Sequence, residues 1–217
     1  MAFYDDPGRE AILCARLILD ADSEGTSLGS KDEDGRIPLH YASAVMGENL
    51  QLLPLLIDAT TDQTLVLAQD KWGQLPLHYS IAIRHHGGAA CFTSKFVAAL
   101  LQADHEKKSL HIADNSGRLP VHCPALEGCL ACVKLLVEAD VTRSSLLVRD
   151  RDGATPLECA QRGQEDHERE GYRTEYLEDK LNKYIDVVQY LTKATAEAQR
   201  LQANESKVAD STAGSSS

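Results

Sequence analysis

Nowhere in its 217 residues does the sequence approach the roughly 20 consecutive apolar residues of a membrane-spanning helix. Basic side chains are scarce relative to acidic ones, 22 against 33, for a net charge of −11. A chain so acidic is poorly suited to a phosphate backbone or an anionic membrane, so neither nucleic acid nor membrane is expected as its main partner. The opening Met1-Ala2-Phe3-Tyr4-Asp5-Asp6 has no basic or apolar leader region, which predicts no secretory signal. The expected home is cytoplasmic or nuclear, where the six cysteines stay reduced. No phosphate-loop, nucleophile-elbow or zinc-protease string occurs, and neither enzyme activity nor a cofactor is expected.

What is present is a phrase repeated four times. It reads Asp34-Gly35-Arg36-Ile37-Pro38-Leu39-His40-Tyr41-Ala42, then Trp72-Gly73-Gln74-Leu75-Pro76-Leu77-His78-Tyr79-Ser80. It returns as Ser116-Gly117-Arg118-Leu119-Pro120-Val121-His122-Cys123 and as Asp152-Gly153-Ala154-Thr155-Pro156-Leu157-Glu158-Cys159-Ala160. Recurrence at intervals in the thirties to forties indicates a stacked repeat protein, whose units bury their apolar faces against one another.

The register is strict on one side of the phrase. Each Gly lies 14 residues after an alanine that closes an apolar helix: 21 to 35, 59 to 73, 103 to 117 and 139 to 153. Within each connector an apolar residue falls seven after the alanine (Leu28, Val66, Leu110, Leu146) and an aspartate eleven after it (Asp32, Asp70, Asp114, Asp150). Such connectors predict rigid turns, with aspartates that bond their own backbone. The other side is elastic. From Gly to the closing alanine the chain takes 24, 30 and 22 residues, then 41 if Ala194 closes the last helix. A short helix is predicted near each Pro, followed by a second with stripes such as Leu52, Leu53, Leu55, Leu56 or Cys132, Val133, Leu135, Leu136.

These residues resemble the ankyrin repeat, a turn plus two antiparallel helices with the signature T-P-L-H-x-A. The resemblance covers about residues 9 to 195 and implies an all-α ankyrin-repeat solenoid. The signature threonine survives only as Thr155; Ile37, Leu75 and Leu119 replace it, and Glu158 replaces the last His. Losing such a cap costs about 1 kcal/mol per helix, so apolar packing is expected to compensate. Pro54 and Pro124 fall where the family has helix formers, and late starts or kinks are expected there.

The expected organisation is a capping helix and first connector over 1–30, four repeats over 31–195, and a helix end with a disordered polar tail over 196–217. Asp5 or Asp6, Pro7 and the stripe Ile12, Leu13, Leu17, Ile18 form the cap. Leu177, Leu181, Tyr184, Ile185, Val188 and Leu191 place the start of the last helix near Glu175, and beyond Leu201 the composition turns small and polar. The segments 84–92 and 163–174 read as inserted turns.

Few residues invite chemistry. Cys129-x-x-Cys132, near Cys123 and His122, has a spacing used for metal or redox sites. In register, however, Cys132 takes the inward place of Leu52, Phe96 and Val187, where a free cysteine acts as a small hydrophobe. His85-His86-Gly87-Gly88 reads as a solvated loop, and His40 and His78, repeating in register, as turn residues. No metal site is expected.

Trp72, the only tryptophan, lies at a predicted turn tip. It is either an interface anchor or packing against Asp34, Arg36 or Ser116. The ankyrin resemblance implies partner contacts at the tips, by position Arg36, Lys71, Trp72, Gln74, Asn115, Arg118 and Arg151. It adds Ala44, Val45, Ala82, Ile83, Leu126 and Glu127 on the inner helices. The basic tips suit an acidic or phosphorylated segment. The expected function is a monomeric, non-catalytic scaffold that presents this surface to a protein partner. The alternatives are a Cys/His metal- or redox-dependent protein and a structural spacer that binds through its tail.

Overall fold

The computed structural model describes residue 22 and residues 26–44, 51–60, 63–81, 90–169 and 175–213. The expected N-terminal cap, the His85-His86 loop and inner-helix positions Val45, Ala82 and Ile83 lie outside them. The chain divides into two compact units, Met1–Asn115 and Ser116–Ser217. Among the described residues every regular element is helical.

The first unit holds α1 (Pro38–Ala44), α2 (Leu52–Ala59), α3 (Pro76–Ile81) and α4 (Ala90–Ala103). α1 stacks on α3 and α2 on α4, while each first helix also packs on the second helix that follows it. The second unit repeats the scheme with α5 (His122–Leu126), α6 (Leu130–Ala139), α7 (Pro156–Arg169) and α8 (Glu175–Ala213): α5 on α7, α6 on α8. Each unit is thus a solenoid-like stack of helix pairs.

The core follows the register. The connector residues Leu28, Val66, Leu110 and Leu146 are all buried, each inside a 3-10 turn (Thr26–Gly29, Gln63–Leu67, Lys108–His111, Ser144–Leu147). So are Ile37, Leu75 and Leu119 of the phrase, and Leu56, Leu100, Leu136 and Leu191 of the second helices. Each such side chain contributes about 1.5–3 kcal/mol by leaving water. One device escaped the sequence reading. The aspartate after the closing alanine accepts the amide of a serine five residues on, in Asp22–Ser27 (2.6 Å), Asp104–Ser109 (2.7 Å) and Asp140–Ser145 (3.0 Å). This Asp-x4-Ser spacing was visible in three of the four connectors.

Three expectations change. Segment 163–169 is not a turn but the end of α7, where Arg169 pairs with Glu165 at 3.4 Å and Asp166 at 3.5 Å, as helical spacing permits. α8 starts at Glu175 as its periodicity predicts, but it does not close at Ala194. It also runs past Leu201 to Ala213, where a disordered tail was expected. Extending a formed helix needs no new nucleus, so a polar sequence without a packing face continues it. Of the two prolines, Pro124 accompanies a late start, with α5 opening at His122 rather than Pro120. Pro54 delays nothing, because it sits in the first turn of α2, where no amide partner is lost.

Candidate functional site

The tips are built from the backbone outward. Asp32 Oδ1 accepts the amides of Asp34 (2.9 Å) and Arg36 (2.8 Å), and Asp70 Oδ1 those of Trp72 (2.9 Å) and Gln74 (2.8 Å). Their Oδ2 atoms accept the hydroxyls of Tyr41 (2.5 Å) and Tyr79 (2.7 Å). The Tyr41 bond chiefly holds the Asp32 carboxyl below its ordinary range. Burial, then the hydrogen bond that its hydroxyl donates to Asp70, pushes Tyr79 up to about 12.

Neighbouring tips are linked in a ladder. In the first unit Lys71 N–H donates to Asp34 O and Asn115 N–H to Trp72 O, both at 2.8 Å; in the second, Arg151 N–H donates to Ser116 O at 2.9 Å. Gly73, at φ +74°, is where the ladder demands glycine: a Cβ would lie 2.9 Å from the Asn115 nitrogen.

The histidines fasten helix starts. His40, His78 and His122 each accept, through Nδ1, the amide of the residue before the proline (Ile37, Leu75, Leu119), all at 3.1 Å. With Nδ1 accepting, Nε2 carries the proton, and it donates to Gln74 O (3.1 Å) from His40 and to Val148 O (3.2 Å) from His122. The missing threonines are therefore compensated by a side chain as well as by packing. The last repeat solves the problem differently. Glu158 accepts the Thr155 amide (2.6 Å) and hydroxyl (2.9 Å), a capping box that keeps its carboxyl below the ordinary value.

On this frame the first unit gathers Arg36, Lys71 and Trp72. The Arg36 guanidinium lies 4.7 Å from the Trp72 ring centre, 5.8 Å from that of Tyr41 and 5.9 Å from that of Tyr79, whose hydroxyl accepts its Nε proton at 2.8 Å. Lys71 Nζ stands 4.4 Å from the centre of the same Trp72 ring. Asp34 pairs with both cations, with Arg36 at 3.0 Å. With the Asp32 carboxylate also close to Arg36, both cations of this tip already have acidic neighbours. Two aromatic rings face solvent beside the exposed Lys71, Tyr41 51% and Trp72 41% exposed. Trp72 accordingly packs against Arg36 and still presents its remaining surface. Tyr41 was absent from the sequence-derived set, although its place in the phrase matched that of Tyr79.

Gln74 contributes its backbone to the turn and to His40, and Asn115 Nδ2 donates to Lys71 O at 3.0 Å. Arg118 and Arg151 belong to the second unit, half-buried and exposed respectively. Ala44 and Glu127 are exposed, and Leu126 is half-buried. Among the described residues no three His, Cys, Asp or Glu side chains are grouped to hold a metal ion, and no helix is long and apolar enough to cross a membrane. No protein-family model and no curated protein matches the chain.

Proposed function

We propose that the chain is an ankyrin-like, non-catalytic protein-binding module, and that a protein partner docks on the tip surface of the first unit. The observation that supports this most is the solvent-facing aromatic pair Tyr41 and Trp72 on either side of Arg36. Tryptophan and tyrosine bury large areas at low entropic cost, and they dominate interface energetics. The backbone ladder and aspartate-bonded turns hold the pair in place before binding, so little ordering remains to oppose association. Because Asp34 pairs with both Arg36 and Lys71, and the Asp32 carboxylate also lies near Arg36, the partner is recognised by apolar and aromatic contact more than by acidic charge.

Selection of a displayed peptide library on the purified chain, with each selected peptide re-measured against Trp72→Ala, tests this. The variant is expected to keep its helical circular dichroism and to bind about thirtyfold more weakly, equivalent to about 2 kcal/mol. Peptides that bind both chains equally would move the site off the tips. Loss of binding only in a chain ending at Asn204 would favour the tail-mediated spacer.

A further inference from the structure

We propose that Cys129 and Cys132 form a redox-active dithiol that exchanges with low-molecular-weight disulfides of the glutathione type. The inference is independent of the docking surface. Cys129 is the residue preceding the ten-residue helix α6, and Cys132 lies in that helix's first turn. Each thiol is the largest single influence on the acidity of the other. Residues three apart at a helix start are near neighbours, close enough for a disulfide after small adjustment.

Their surroundings divide the labour. Cys129 is only half-buried, whereas Cys132 is fully enclosed. The turn that sets this arrangement is tightly placed. Gly128 is at φ +71° with the Tyr184 ring behind it, and Cys129 N–H donates to Pro124 O at 2.9 Å. The bond from Cys132, and then the first amides of α6, draw Cys129 down to about 7 against the effect of burial. Cys132 is pushed up by the same bond and by burial. Cys159 behaves as an inert core thiol, raised to about 11 by burial and then by Asp150.

The exchange runs in two steps. The Cys129 thiolate attacks one sulfur of glutathione disulfide, forming a Cys129–glutathione disulfide and releasing one glutathione thiolate. The Cys132 sulfur then attacks Cys129 Sγ, its proton passing to the second departing glutathione. Two protein thiols are oxidised to one disulfide, and one glutathione disulfide is reduced to two thiols.

The full-length reduced chain, equilibrated over a series of glutathione redox ratios and mapped by peptide mass spectrometry, tests this. The expected product has lost two hydrogens, with the link between Cys129 and Cys132. In Cys132→Ser the reaction is expected to stop at the glutathione adduct on Cys129. At neutral pH, alkylation of Cys129 in the native wild type should outpace that of Cys132 by about tenfold, because Cys132 is buried and Cys129 only half-buried. A pair that stays reduced across the series, a link formed elsewhere, or equal alkylation of Cys129 and Cys132 would overturn the proposal. The wild-type mapping decides this even if the serine variant fails to fold.

Discussion

Gly163 sits inside α7, where alanine would ordinarily improve the helix by about 1 kcal/mol. Here a Cβ would lie 2.5 Å from the Leu126 carbonyl oxygen and 2.6 Å from the Tyr184 ring, whose hydroxyl donates to that same oxygen at 3.0 Å. A backbone oxygen cannot swing aside as a side-chain tip does, so the clash outweighs the propensity gain. Gly163→Ala is expected to destabilise the second unit by about 1–3 kcal/mol in thermal or urea unfolding. A more stable variant would show that α5 and α8 yield easily.

At the scale of elements, the last helix separates packing from propensity. Tyr184, Val187, Leu191, Ala194 and Ala198 of α8 are buried, and Arg143 pairs with Glu197, whereas residues 202–207 are exposed. Truncation after Asn204 should therefore lower the helical circular dichroism signal yet change unfolding free energy by less than about 0.5 kcal/mol. A larger loss would mean that the terminal turns are held by contacts of their own. The helix starts teach a related lesson. Three repeats use a histidine and one a Thr–Glu pair to occupy the same amide, so the physical requirement persisted where the residue type changed.

For the molecule as a whole, two buried histidines, His40 in the first unit and His122 in the second, link stability to pH. Burial chiefly lowers His40 and His122 below the ordinary 6.5, although Gln74 O and Asp70 act in the opposite sense on His40, and Leu119 O and Asp150 on His122. A base that is harder to protonate when folded binds more protons when unfolded. Its contribution is complete above pH 6.5 and declines as pH falls toward its depressed value. Melting temperatures of wild type and a His40→Gln, His122→Gln double variant, measured from pH 7.5 to pH 5, should differ most at the upper end and converge as pH falls. A gap that is constant or widens on acidification would contradict this assignment.

The sequence by itself determined the repeat, its register, the buried connector and helix residues, and the aspartate and histidine roles at the turns. Those features are local or periodic, so the chemistry of a short segment specifies them in every copy. Side-chain identity at Trp72 and Arg36 was equally legible, but not that Asp34 would pair with two cations while Tyr41 and Trp72 stay exposed. That outcome depends on residues of successive repeats meeting across the tips. Likewise the inward register of Cys132 was readable, whereas the half-buried place of Cys129, next to the Gly128 turn packed on the Tyr184 ring, was not. Only tertiary packing decides such matters, because contact between residues distant in sequence sets both exposure and charge balance.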